Sequence, residues 1–300
     1  MAFILKNKDQ LARDVWPDGI GQLVQERSLT VATLPAARKV PEDAEELAEW
    51  LWVDRQEPLS QARVYIHQDV EGIRGGTEPQ ELALRFQGII GHVSVGVGGD
   101  WDGTEVNAKK ANQHLTLCNG GCPDAFDPQI RVLKAVREAI FAQLGSSEDG
   151  QRRRQDGIVF RRRVFTKIRQ GINDALPSLI RDGDDPRGRF KAIAHSWRVT
   201  EKLRAGAQLA HGEIFPVNPL SLRKGDFVDV SARLVVVFSR GPHGRRHELC
   251  LEPIVIVRLT GAAQVQETRR QGASGLQTST MEVGFKMVEI REEGEAPMEE

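Results

Sequence analysis

The sequence predicts an α+β fold: a mostly antiparallel sheet, two principal amphipathic helices and a long C-terminal β-hairpin. Three observations carry this. Two long stretches alternate with a period of two, Val228, Val230, Ala232, Leu234, Val236 and Phe238, then Leu249, Leu251, Val255, Val257 and Leu259. Between them, residues 240–247 are a Gly-, Pro-, Arg- and His-rich loop, so the pair reads as an antiparallel hairpin. A third stretch, Asp127 to Leu144, carries Ile130, Leu133, Val136, Ile140 and Leu144 at helical spacing. Asp127 reads as its cap, Pro128 as its first residue and Gly145 as its stop.

The elements in chain order begin with a helix over Pro41 to Asp54, where Glu42, Asp43, Glu45 and Glu46 fill the first turn and Ala44, Leu47, Trp50 and Leu51 form a stripe. Strands follow over Ala62 to Val70 and over Glu81 to Val97, the second broken at Gly88 and Gly91 by a bulge or turn. Residues 98–125 are rich in Gly, Asn and Asp and read as a long loop. A second amphipathic helix is expected over Ile158 to Leu176, with Phe160, Val164, Ile168, Ile172 and Leu176 four apart. Phe190 to Thr200 reads as a strand and Glu201 to Leu209 as a short helix. Pro253 lacks an N–H and belongs at an edge or bulge. Residues 261–280 are polar, Met281 to Ile290 reads as a last strand, and 291–300 as an acidic disordered tail. The Gly-, Ser- and Arg-rich linker at 145–157 divides the chain into an N-terminal α+β region, 1–147, and a C-terminal region, 158–290, unless the whole is one integrated domain.

Bulk properties exclude several classes. At 300 residues the chain can bury a sizeable core. Lys+Arg number 41 against Asp+Glu 42, a net charge of −1, so no overall field draws the protein to nucleic acid or to a membrane. No stretch approaches 18 apolar residues, and three cysteines make no disulfide framework, which points to a soluble protein of the cytoplasm or nucleus.

What departs from average is a basic run. Arg152, Arg153, Arg154, Arg161, Arg162, Arg163, Lys167 and Arg169 are opposed within it only by Asp156. On a helix and its lead-in these cations would track phosphates; the alternative is a solvated face paired with acids elsewhere. The hairpin loop adds Arg240, Arg245 and Arg246, with His243 and His247. A single tyrosine and 6% aromatic residues argue against a platform that reads RNA sequence.

Other clusters carry less. His114, Cys118 and Cys122 stand at i, i+4 and i+8, but Asn119, Gly120 and Gly121 interrupt the helix a zinc site would need. Asp100, Asp102 and Glu105, like Asp182, Asp184 and Asp185, fit turns better than a cation site. His195 lies between Ile193 and Trp197 with no nucleophile placed beside it. There is no P-loop, dinucleotide fingerprint, Gly-x-Ser-x-Gly, His-Glu-x-x-His or Cys-x-x-Cys. No catalytic residue, metal or cofactor is therefore expected.

Residues 216–230, with Lys224, Gly225, Asp226, Phe227 and Val228 at their centre, are similar to a segment of uncharacterised proteins from mushroom-forming fungi. There a like run precedes a hydrophobic strand pair, and the resemblance implies no activity.

Two functions follow as expectations. The first is a non-enzymatic protein contacting nucleic-acid backbone, single- or double-stranded and with low sequence specificity, through the basic helix and hairpin tip. The second is assembly with itself or another protein through an exposed sheet edge, Leu234–Phe238 with Ile254–Val257, or through Trp50 and Trp52.

Overall fold

The computed structural model describes residues 1–54, 61–73, 79–145, 157–168, 177–241 and 244–267, with backbone alone at 240, 241 and 244–246. Met1–Val265 is one compact unit, and a second begins at Gln266. The fold is α+β with a large, mostly antiparallel sheet, as the alternation predicts.

The sheet is built from β1 (Leu51–Val53), β2 (Gln61–Ile66), β3 (Ala83–Ser94), β4 (Asn112–Cys118), β5 (Ile158–Arg163), β6 (Arg204–Gln208), β7 (Ile214–Val217), β8 (Phe227–Gly241) and β9 (Gly244–Thr260). The expected hairpin is β8 with β9, in register from Phe227 opposite Thr260 to Gly241 opposite Gly244. Ser231 lies opposite Val255 but Ala232 opposite Pro253, so a bulge falls beside the proline, the kind of position that tolerates a residue with no N–H.

Five strands close on themselves. β8 pairs with β3, β3 with β4 and β4 with β5, all antiparallel, so the fourth strand of this set returns beside the first. β9 then closes the ring, antiparallel to β8 and parallel to β5 where Leu251 lies opposite Phe160. The result is a five-stranded Greek-key barrel. Leu84, Phe86, Leu115, Leu117, Ile158, Phe160, Val230, Leu234 and Leu251 are all buried. Phe86 meets Phe160 edge-on at 5.6 Å. Strands from both sides of residue 150 are thus hydrogen-bonded neighbours in one barrel.

The ring extends at two places. β2 pairs with β8 from Val235 to Val237 and carries β1 beyond it. β6 runs parallel to β9 and carries the edge strand β7. The segment Leu234–Phe238 is consequently no free edge, since β2 and β9 flank it, and Ile254–Val257 lies between β8 and β6. Trp50 is also removed from any interface: it is buried, and its indole donates to the Ala36 carbonyl at 3.3 Å.

The helices depart from expectation in instructive ways. α1 spans only Ala44–Trp50, because Asp43 caps it through the Glu45 and Glu46 amides and Leu51, Trp52 and Val53 turn to strand. The one-turn α2 (Glu105–Ala108) and strand β4 occupy the region read as loop; Gln113, Leu115 and Leu117 point inward, a period of two hidden by polar Asn112, His114 and Thr116 between them. The long helix α3 (Pro123–Gln143) starts earlier than Asp127: Pro123 takes the first position and Pro128 lies inside. Gly145, at φ 63°, stands just past its end as expected.

The expected helix over 158–176 is instead strand β5, with residues 169–176 outside the described ones. Ile158, Phe160 and Arg162 are buried while Val159, Arg161 and Arg163 face out, and β-branched and aromatic residues suit the pleat. Two further readings change: within Phe190–Thr200 only Trp197–Arg198 is strand. Arg189–Ile193 is a short helix, α4, where a strand was expected, and Arg204–Gln208 is strand β6 where a helix was expected. In each case pairing with a neighbouring strand, or its absence, outweighs local propensity. The last expected strand, Met281–Ile290, and the acidic tail lie outside the described residues. Among the described residues no helix is long and apolar enough to cross a membrane.

Candidate nucleic-acid interface

The basic run divides once its backbone is extended. Successive strand residues face opposite ways, so Arg161 and Arg163 project outward from the barrel while Arg162 projects inward. Arg162 is only 5% exposed. It donates to Glu201 at 3.0 Å and lies 3.9 Å from Glu252. Arg233 completes the ring, reaching Glu201 at 3.0 Å and Glu252 at 2.6 Å. Arg162 is therefore a structural ion-pair member and is withdrawn from the set expected to contact phosphate.

This ring has a pH signature. Burial acts to raise the Glu201 carboxyl, but the Arg233 and Arg162 guanidiniums outweigh it and hold it below the ordinary carboxylate range. A depressed carboxylate stabilises the fold above its unfolded-state pKa, and that contribution disappears as pH falls through the folded value. Thermal melts of wild type and Glu201→Gln should accordingly differ at pH 6, and the gap should begin to narrow below about pH 4, the ordinary range for a glutamate, and close only below the folded value. A gap that stays constant with pH would remove Glu201 from the ring's ionic balance.

Arg161 and Arg163 open onto a groove of about 250 Å³ on the outer face of the barrel. It is lined by Gln61, Lys109, Lys110, Asn112, Arg161, Arg163, Val235, Val237, Cys250 and Glu252. Strands β2, β4, β5, β8 and β9 all contribute. Four cations face one carboxylate, Glu252, already held by Arg233. Arg161 makes a longer, solvent-exposed pair with Glu248 at 3.5 Å. Lys109, Lys110 and Arg163 are exposed and form no ion pair with other described residues. Cys250 offers no reactive thiolate: burial, then the Glu248 charge, push its thiol above the ordinary value.

Lys109 and Lys110 were not among the expected residues, and the fold explains how they arrive. They lie between Ala108 and Ala111, both buried in a small cluster with Val164, Phe165, Ile193 and Val199. Trp101 packs on Phe165 at 4.8 Å and on Phe190 at 4.9 Å beside it. With the flanking alanines drawn inward, the two lysines between them are turned to solvent. The β3–β4 connection is further held by its own polar groups. Asp102 accepts from the Thr104 amide and hydroxyl and from Asn107. Asp100 accepts from the Asn112 amide and lies 3.1 Å from His114. Gly99, at φ 58°, passes so close to Asn112 that a Cβ there would lie 2.1 Å from its carbonyl oxygen. The acidic loop is thus turn chemistry, as its composition suggested. A Lys-Lys pair within the loop expected at 98–125 was the available signal.

Of the remaining expected cations, one has a described side chain. Lys167 pairs in a short ladder with Trp197, its ammonium 6.0 Å from that ring's centroid. Arg152, Arg153, Arg154 and Arg169 lie outside the described residues, as do the side chains of Arg240, Arg245 and Arg246 at the closed end of the β8–β9 hairpin. His114 and Cys118 are on strand β4, four residues and therefore about 13 Å apart, so they cannot share a metal ion. Among the described residues no group of three His, Cys, Asp or Glu side chains is placed to bind one. His195 is not on a strand; it is exposed after α4, 3.5 Å from Glu105.

No protein-family model matches the sequence, and no curated protein does. Among solved structures, the single-stranded DNA-binding protein from bacteriophage Enc34 aligns over 59% of this chain and 80% of its own, with 11% identity and a TM-score of 0.27. Its complex with single-stranded DNA aligns over 59% and 85%, with 13% identity and the same TM-score. At that level of superposition the likeness carries no argument about function.

Proposed function

We propose that this protein binds nucleic-acid backbone through the groove formed by Lys109, Lys110, Arg161 and Arg163. The observation that carries the reading is convergence: two cations from β5 and two from the β3–β4 connection, distant in sequence, line one concave surface with a single, already paired carboxylate. A balanced chain that concentrates charge in this way makes a local anion site despite a net charge of −1. The architecture supports the same reading. A five-stranded Greek-key barrel is the OB-fold arrangement, in which the face of the second and third strands and the adjoining loops take oligonucleotides or oligosaccharides. Here those strands are β4 and β5, and the connection after the first strand supplies the lysines. Fold alone would not license this assignment; the cations on that face do. Sequence specificity is expected to be low, because guanidinium and ammonium groups position phosphates without reading bases.

A salt series tests the proposal. Fluorescence anisotropy of the full chain with labelled oligonucleotides should show affinity falling with salt, the log–log slope reaching about −3 to −4 for four neutralised phosphates. Absence of binding at low salt would overturn it. Assembly through a sheet edge is the second reading; the edge that supports it is β7, where Phe215 is 58% exposed and Ile214 37%. A concentration-dependent change in mass with no oligonucleotide binding would favour it.

A further inference from the structure

We infer that the ligand of this groove is single-stranded, and that its bases stack on an aromatic pair, Trp52 and Tyr65, outside the barrel. The inference rests on the backbone-binding reading above and specifies its ligand class. The groove already reaches β2 at Gln61. Along β2, Ala62, Val64 and Ile66 are buried, so Gln61, Arg63 and Tyr65 form one outward row. Arg63 lies opposite Val235 and Gln61 opposite Val237, which places that row on the same side of the sheet as two groove-lining valines. Across β1, Trp52 lies opposite Tyr65, with the two rings stacked at 5.0 Å between centroids and 24° between planes. His67 adds a third ring, 6.5 Å from Trp52.

The path from cations to rings is continuous and short. From β5 through β9 and β8 to β2 are three strand steps of about 4.8 Å, and Arg63 to Tyr65 is one pleat repeat of about 6.8 Å. Arg63 sits midway; its side chain is 52% exposed, and among the described residues its one ion pair is with Glu81 at 3.7 Å. Trp52 and Tyr65 are each partly exposed, unlike Trp50 and Trp16. A chain of phosphates on Arg163, Arg161 and Arg63 would thus deliver its bases to a π surface, which tolerates any sequence because every base has a flat face. Duplex bases are already stacked on one another and cannot use such a surface.

The experiment compares three ligands of equal length and label at one salt concentration: oligothymidine, the same strand made abasic, and a duplex. Wild-type protein should bind oligothymidine at least tenfold more tightly than the abasic strand, given the usual worth of base–aromatic stacking. The double variant Trp52→Leu/Tyr65→Leu should lose that preference while binding the abasic strand as wild type does, and Trp52→Phe should retain most of it. Equal wild-type affinity for thymidine and abasic strands would overturn the stacking inference and leave backbone binding standing, a result that needs no mutant to fold. Preference for duplex would overturn it as well. Failure of wild type to bind any of the three would overturn both readings together.

Discussion

Asp229→Ala is expected to cost about 3 kcal/mol, the largest loss of any single substitution considered, because it removes the two-nitrogen partner of a buried guanidinium and leaves Arg85 with Glu26 alone. Asp229 is 3% exposed and Arg85 8%. Arg85 reaches Asp229 through two nitrogens, at 2.6 and 3.1 Å, and Glu26 at 2.6 Å. Glu26 in turn pairs with Arg13 at 2.7 Å, and Gln87 donates to Asp229 at 2.7 Å. Burial acts to lower the Arg85 guanidinium, yet Asp229 and Glu26 raise it above its ordinary value. The network ties the N-terminal segment, which is wound in single 3-10 turns, to the outer face of β3 and β8. Phe3 completes the layer, with the guanidiniums of Arg85, Arg13 and Arg38 at 4.6, 4.8 and 5.2 Å from its centroid.

With a midpoint shift of about 2–4 °C per kcal/mol in proteins of this size, the melting temperature should fall by about 10 °C. The double variant Arg85→Met/Asp229→Leu should recover part of the loss, since an apolar pair of similar volume leaves no charge stranded. A cost below about 1 kcal/mol for Asp229→Ala would mean that the pair is not desolvated as described.

Reversing charge in the groove should be the largest effect on binding. Lys109→Glu with Arg163→Glu replaces two attractive contacts by two repulsive ones on exposed side chains, so the fold should persist. Affinity for an oligonucleotide at low salt should fall at least 100-fold. Neutral replacement, Lys109→Gln with Arg163→Gln, should instead flatten the salt slope by about 1.5 to 2, the share of two phosphate contacts. Lys167→Glu is the informative control: it belongs to the same basic stretch of sequence but not to the groove, and it should leave both quantities nearly unchanged. If Lys167→Glu weakens binding as much as the pair does, overall charge rather than this surface is responsible.

These contrasts show which inferences residue patterns support. Alternation in Phe227–Ser239 and Glu248–Leu259 identified the hairpin because its register repeats over many residues, and Pro253 located the bulge because a missing N–H has few places in a ladder. Asn112–Cys118 escaped notice because its outward residues are polar and its inward ones number only three. Ile158–Arg163 fits a helix on sequence because apolar residues at 158, 160, 164 and 168 suit a helical stripe as well as a pleat over so short a span.

Sequence by itself determined the α+β class, the hairpin, the long helix ending at Gly145 and an unusual density of arginine after residue 151. Local rules suffice there, since periodicity, caps and proline act within a few residues. Tertiary structure alone decided which way the described arginines point and which of them are paired. Whether Arg161, Arg162 or Arg163 faces water depends on strand pairing, and whether a cation is spent depends on acids such as Glu201 and Glu252, tens of residues away in sequence. Pairing of β4 with β5, which sets Asn112 opposite Arg163, brought Lys109 and Lys110 beside Arg161 and Arg163 across more than 40 residues of sequence.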